Sequence, residues 1–80
     1  MTSCRIEFVI EPFVDGTPGP YVQSGIDAMA ARGLDVSMGP FGSSVAGDVD
    51  DLAEAIGAMV SAAANDGARR VLVEVVMDAT

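Results

Sequence analysis

Apolar and polar residues alternate along the N-terminal part of the chain, from Cys4 to Glu11. One set of alternate positions holds only apolar side chains, at Cys4, Ile6, Phe8 and Ile10. The other set of alternate positions, 5, 7, 9 and 11, carries three charged residues and one valine. Because side chains in a β-strand point to opposite faces in turn, this pattern predicts a strand with one buried face.

Two longer segments carry apolar residues at helical spacing. The first begins at Pro20, which suits a first helical turn, and stops at Gly33. Its apolar stripe contains Val22, Ile26 and Met29. The second begins after Asp48, a favourable N-cap, and stops at Gly67. Its predicted buried stripe consists of Leu52, Ile56, Met59, Val60 and Ala63.

The remaining segments predict three further strands. Leu34, Val36 and Met38 alternate with polar residues before a Gly-Pro turn. Residues 41–46 then run back, so this part of the chain predicts a hairpin. The last strand, residues 71–77, reads V-L-V-E-V-V-M and is apolar on both faces except at Glu74.

The predicted order is therefore β-α-β-β-α-β. This order is typical of the ferredoxin-like fold of the α+β class, with a four-stranded antiparallel sheet and two helices on one face. Residues 1–80 fit a single domain. On the helix-free face of the sheet, Val9, Leu72 and Val76 form an apolar surface, which we expect to contact another subunit.

The composition excludes several classes of partner. Twelve acidic residues, four arginines and no lysine give a net charge of −8, which repels nucleic acid and anionic membranes. One cysteine and no histidine exclude disulfides within the chain, histidine-dependent triads and the usual zinc sites. No segment approaches the roughly 20 apolar residues of a membrane span, and no signal pattern is present, so we expect a cytoplasmic protein.

The chemistries most familiar in this fold lack their key residues here. Acylphosphatases need an arginine after a phosphate-binding loop, whereas Ile26 and Asp27 follow Y-V-Q-S-G in this chain. RNA-recognition domains need aromatic residues on the sheet, and iron–sulfur ferredoxins need four thiolates. The aspartates of residues 48–51 fit a helix cap and first turn better than a metal cluster. We therefore predict neither catalysis nor a metal site.

Four residues remain candidates for contacts with a ligand. Glu11, at the end of the first strand, is either a solvated carboxylate or a group that binds a ligand. Tyr21 either covers the start of the first helix or forms a wall for stacking. Ser43 and Ser44 must face opposite sides of the sheet, and the serine that faces the helices bonds either a backbone carbonyl or a ligand.

Four segments of the chain together resemble one family of small proteins. They read I-E-P-F, P-Y-V-Q-S-G-I-D, G-P-F-G-S-S-V-A-G-D and A-R-R-V-L-V-E-V, in chain order. Over nearly its whole length, the chain resembles the thiamine-binding, YkoF-like family. The resemblance implies a ferredoxin-like unit that binds thiamine or its hydroxymethylpyrimidine portion, without catalysis and without a cofactor.

The resemblance also implies where the ligand binds. Thiamine joins a flat aminopyrimidine to a permanently cationic thiazolium, which favours a carboxylate or an aromatic face. Phe41 and Tyr21 offer such faces, while Ser43 and Glu11 offer a hydroxyl and a carboxylate. The predicted ligand-binding residues are Glu11, Phe13, Tyr21, Phe41, Gly42, Ser43 and Ser44.

Two functions of different classes are predicted. The first is non-enzymatic binding of thiamine or its pyrimidine portion in vitamin B1 salvage, transport or sensing. This protein would be a homo-oligomer, a dimer or a tetramer, joined through the helix-free sheet face or the sheet edges. The alternative is a regulatory or scaffolding module whose apolar sheet face binds another protein. Ligand-dependent thermal stability distinguishes them, because a ligand of the folded state raises the melting temperature.

Overall fold

The computed structural model describes residues 2–12, 17, 19–39 and 42–77. Their strands and helices follow the predicted order. They are β1 (Ser3–Glu11), α1 (Pro20–Ala30), β2 (Ser37–Gly39), β3 (Gly42–Asp48), α2 (Val49–Asn65) and β4 (Arg70–Met77). The strands form one antiparallel sheet with both helices on the same face, which confirms the predicted ferredoxin-like α+β fold.

Strand β1 lies inside the sheet, whose strand order is β2-β3-β1-β4. It pairs with β3 on one side and with β4 on the other. The two edges differ, because β2 has three residues and β4 has eight. A short edge strand leaves few backbone groups unpaired, so β4 is the edge that offers a long row of free hydrogen-bonding groups.

The hydrophobic core lies between the sheet and the two helices. Ile6 of β1, Met29 of α1 and Met59 of α2 are fully buried there. The buried apolar residues are Cys4, Ile6, Phe8, Ile10, Val22, Met29, Val45, Leu52, Ala55, Met59 and Ala63. The predicted buried face of β1 is therefore confirmed, and Cys4 is a core residue.

The ends of the helices follow from local chemistry. The Asp48 carboxylate accepts a hydrogen bond of 3.1 Å from the backbone N–H of Asp50, which confirms Asp48 as the N-cap of α2. Gly33 and Gly67 follow the two helices with positive φ angles, as predicted for stop positions. Within the described ranges, no group of three or more potential ligand side chains is arranged to hold a metal ion.

The strand before the hairpin is shorter than predicted. Leu34 and Val36 lie outside β2 and pack against the core while partly buried. Strand β3 instead continues past the predicted end at Ala46 to Asp48. An alternating apolar pattern indicates that one side of a chain segment is buried. A connecting segment that packs on the core shows the same pattern, although it forms no hydrogen bonds with a neighbouring strand.

Helix α2 buries a narrower stripe than predicted. Val60 is 39% exposed, so its predicted burial is wrong, and Ala55 is fully buried instead. At 3.6 residues per turn, Val60 lies about 80° around the helix from Leu52, whereas Met59 lies within about 20° of it. The helix has 17 residues, and neither described helix combines the length and apolar character needed to cross a membrane.

Candidate ligand site

A row of polar side chains crosses the helix-free face of the sheet. Ser37 lies opposite Ser44, and Ser44 lies opposite Glu7. Glu7 in turn lies opposite Glu74. Because directly opposed residues of antiparallel strands point to the same face, these side chains stand side by side. We call Ser37, Ser44, Glu7 and Glu74 the polar row.

A second row, which consists of apolar and small residues, crosses the same face of the sheet two positions further along β1. Val9 lies opposite Leu72, and Gly39 lies opposite Gly42. Gly42 approaches Val9 closely, since a Cβ atom added to Gly42 would lie 3.0 Å from Val9 Cγ2. We call Gly39, Gly42, Val9 and Leu72 the apolar row.

An open cavity of about 480 Å³ lies over these two rows, and we call it the trough. Between the rows, its floor is formed by the strand residues whose side chains alternate to the other face, Met38, Ser43, Phe8 and Val73. The volume is within the range of about 300–1,000 Å³ that is usual for small-molecule sites. The register of four strands therefore builds one site from separate parts of the chain.

Gly42 allows β3 to pass close to β1 beside the trough. Its φ angle is 150°, in a region that residues with a side chain rarely adopt. A Cβ atom at this position would also lie 2.9 Å from the backbone oxygen of Phe8. Both the backbone conformation and the space around it therefore require glycine here.

The trough is acidic. Glu7 and Glu74 line it, and no arginine is among its described lining residues. The Arg5 guanidinium lies 3.6 Å from the Glu7 carboxylate, and both side chains are about half exposed. In the described part of the chain, Glu74 has no such ion pair. Like charges placed directly opposite each other destabilise a sheet, so the Glu7–Glu74 pair favours a cation between the strands.

The predicted residues of the hairpin contribute to this trough. Gly42, Ser43 and Ser44 all line it. Ser43 is 8% exposed and opposite the core residue Phe8, whereas Ser44 is half-buried on the helix-free face. The prediction that the two serines face opposite sides of the sheet is confirmed. Ser44 is consequently the one whose side chain belongs to the polar row.

The other two described candidates lie beyond the apolar row. The Glu11 carboxylate lies 3.6 Å from the guanidinium of Arg70, which supplies a counter-charge within the chain. The Tyr21 hydroxyl donates a hydrogen bond to the Pro12 carbonyl, so the ring ties the start of α1 to the end of β1. Glu11 and Tyr21 thus share one corner of the fold, separate from the trough lining.

Two predicted residues, Phe13 and Phe41, lie outside the described residues. Conversely, the structure adds Glu7, Ser37 and Glu74 to the site, which were not predicted from the sequence. A signal was present for Glu74, because it is the one charged residue in an otherwise apolar strand segment. Its neighbours in the trough depend on strand register, which the local pattern of a strand does not specify.

A family model described as thiamine-binding protein matches residues 6–80. The chain also resembles a solved structure of a hypothetical protein from Methanocaldococcus jannascii, with 26% identity and a TM-score of 0.73. That match covers 100% of this chain and 82% of the other. No match was found among curated proteins.

Two further solved structures share the fold at lower identity. A Thermotoga maritima protein, assigned provisionally to thiamine biosynthesis or salvage, is 16% identical with a TM-score of 0.70. The match covers 98% of this chain and 84% of that protein. A Bacillus cereus domain of unknown function is 17% identical with a TM-score of 0.72, covering 100% and 79% of the two chains. At these identities the likeness concerns the fold.

Proposed function

Because the family match extends over residues 6–80, the chain belongs to the thiamine-binding protein family, and we propose that it binds thiamine or its hydroxymethylpyrimidine portion in the trough. Family membership supports a thiamine-related role. The observation that supports the location is the combination of a polar row and an apolar row around one cavity of about 480 Å³. Such a mixture of apolar surface and a few polar groups is typical of small-molecule sites.

The chemistry of the trough matches the two halves of thiamine. The flat aminopyrimidine would lie against Val9 and Leu72, and its edge would exchange hydrogen bonds with the Ser44 hydroxyl. The cationic thiazolium would lie beside the carboxylates of Glu7 and Glu74. Contributions from Glu11, Phe13, Tyr21 and Phe41 remain predictions.

We propose that binding occurs without catalysis. The chain has no histidine, and its single cysteine, Cys4, is buried in the core away from the trough. The polar row offers two serine hydroxyls and two carboxylates, without an arrangement in which a described base activates a nucleophile. The proposal is therefore a cytoplasmic binding protein in thiamine salvage, transport or sensing.

Isothermal titration calorimetry with thiamine, hydroxymethylpyrimidine and thiamine pyrophosphate tests the proposed function. We expect micromolar or tighter binding of thiamine or the pyrimidine, and weaker binding by Ser44→Ala. Loss of one hydrogen bond to the ligand corresponds to about 0.5–1.5 kcal/mol, or about two- to tenfold in affinity. Ser61→Ala, on the exposed side of α2, is the matched control and should bind as the wild type does.

The absence of heat with all three compounds, together with an unchanged melting temperature at millimolar ligand, would contradict the proposed function. The alternative of a protein-interaction module would then be favoured. The structural feature that supports this alternative is the exposed apolar surface of Leu72 and Val76 on the helix-free face.

We also propose that the protein is a homo-oligomer joined through the helix-free sheet face. Leu72 is 44% exposed there, in the lining of the trough, and Val76 is a second exposed apolar residue on the same face of β4, beyond Glu74. A flat sheet covers a ligand on one side only, whereas small-molecule sites commonly bury about 70–90% of the ligand surface. A second copy facing the trough would supply the missing cover.

Sedimentation velocity of Leu72→Ser tests this assembly. We expect the dimer or tetramer of the wild type to dissociate, with a dissociation constant raised by at least about tenfold, because apolar area is lost from both copies. Val60→Ser, which alters a similarly exposed apolar residue on α2, should leave the assembly unchanged. An oligomer that persists in Leu72→Ser would argue against the sheet face and would favour contacts through the sheet edges.

A further inference from the structure

We propose that Glu74 determines the charge specificity of the trough. A ligand with a cationic ring and no phosphate group is then bound in preference to a neutral ligand or a phosphorylated ligand. The inference rests on the proposed function, and it assigns one residue to the choice among related ligands. Its basis is the position of Glu74 relative to the other charges on the helix-free face.

Glu74 and Glu7 are opposed directly across the β1–β4 pair. Side chains in such pairs have Cβ atoms about 4.5–5.5 Å apart, close enough for two carboxylates to repel each other. The trough therefore contains two negative charges on adjacent strands before any ligand binds. A ligand with a positive charge relieves this repulsion, whereas a neutral ligand does not.

The two carboxylates are not equivalent. Glu7 already has a counter-charge in Arg5, at 3.6 Å. The basic residue nearest to Glu74 along β4 on the same face is Arg70, and its guanidinium pairs with Glu11. Among the described residues, Glu74 is therefore the trough carboxylate without an ion pair, and it is the one available to a cation from solution.

The same arrangement disfavours phosphate. A phosphate group needs basic side chains or free backbone N–H groups, and arginine is the usual partner for it. The described lining of the trough contains no arginine, and its two inner strands, β1 and β3, are paired with neighbouring strands on both sides. A phosphorylated ligand would bring its negative charge towards Glu74, so Glu74 acts against it while acting in favour of the cationic ring.

The test compares three ligands on the wild type and on Glu74→Gln, which keeps the shape and removes the charge. The ligands are thiamine, neutral hydroxymethylpyrimidine and thiamine monophosphate, measured by calorimetry at low and high salt. An exposed charge pair contributes about 0.2–1 kcal/mol, so we expect thiamine to bind about 1.4- to fivefold more weakly to Glu74→Gln. Hydroxymethylpyrimidine should be unaffected, and thiamine monophosphate should bind more tightly.

Asp35→Asn is the matched control, because it removes an exposed carboxylate from the segment before β2, outside the trough. It should leave the order of the three affinities unchanged, and the salt dependence of thiamine binding should fall only in Glu74→Gln. If the wild type binds the ligands and Glu74→Gln keeps the same affinity ratios, the assignment of Glu74 is overturned. If the wild type binds none of them, the proposed function itself fails.

A measurement on the free protein tests the inference whether or not the wild type binds any of the three ligands. Removing one of two opposed carboxylates should raise the melting temperature of the free protein at low salt, and less so at high salt. An unchanged melting temperature at low salt would show that Glu74 and Glu7 do not repel each other, which would overturn the argument for a cation between them.

Discussion

Replacement of Met59 by alanine is expected to lower the free energy of unfolding by about 2–5 kcal/mol, because it leaves a cavity in the core. Met59 is fully buried on α2. It also lies at the contact with α1, since a Cβ atom added to Gly25 would be 3.2 Å from Met59 Cγ. Folded domains are stable by only about 5–15 kcal/mol, so this change removes a large share of the total. Urea denaturation followed by circular dichroism measures it.

Val60→Ala is the control for Met59→Ala, because the two residues are neighbours on the same helix. Val60 is on the exposed side of α2, and its truncation should cost about 0.5 kcal/mol or less. Equal losses in the two variants would contradict the described packing of α2, because they would mean that both faces of the helix are buried to the same extent.

Replacement of Gly42 by alanine is expected to destabilise the fold by about 1–3 kcal/mol, through backbone strain at a φ of 150°. The new methyl group would also press on the Phe8 carbonyl, 2.9 Å from its ideal position. Because Phe8 forms part of the trough floor, relief of this contact requires β1 and β3 to move apart there. We therefore expect weaker thiamine binding as well, measured by calorimetry below the unfolding transition.

Gly39→Ala is the matched control on the opposite strand of the hairpin. Among the atoms of the described residues, the Gly42 oxygen would be nearest to its added Cβ, at 3.4 Å, and its φ angle is not in the positive region. The expected loss of stability is about 0.5 kcal/mol or less. If Gly42→Ala folded and bound ligand like Gly39→Ala, the close approach of β3 to β1 would not be needed for the site.

The order of the elements could be predicted from the sequence because each long element carries its own periodic signal. The strict alternation in β1 and the glycine after each helix identify those elements without knowledge of their neighbours. Asp48 also identified the start of α2, because an N-cap acts on the backbone two or three residues further on. Features that depend on interactions between residues close together in the sequence can therefore be predicted from the sequence pattern.

Features that depend on packing could not be predicted in the same way. Leu34 and Val36 are apolar because they cover the core, and nothing local separates this from a strand. Val60 has the right residue type for the buried stripe of α2, but the width of that stripe depends on how closely the sheet and α1 approach. The predicted strand position of Leu34 and Val36 and the predicted burial of Val60 were wrong because residue type does not show how close a residue lies to the neighbouring strands and helices.

The candidate site was predicted in part for a related reason. Gly42, Ser43 and Ser44 are contiguous in the hairpin, so one segment of sequence was enough to identify them. Glu7 and Glu74 are 67 positions apart in the chain and meet only through the β1–β4 register. A shift of that register by one residue would turn Glu74 towards the helices, so the acidic trough depends on pairing rather than on composition.

The position of β1 inside the sheet has a consequence for how the protein can evolve. Its even-numbered side chains fill the core, and its odd-numbered ones point to the helix-free face, where Glu7 and Val9 line the trough. A mutation at Glu7 or Val9 therefore changes the solvent-facing surface and leaves the buried residues as they were. Descendants of this protein can change the chemistry of the trough through substitutions at alternate codons of one nine-residue strand, while selection for folding acts on the codons between them.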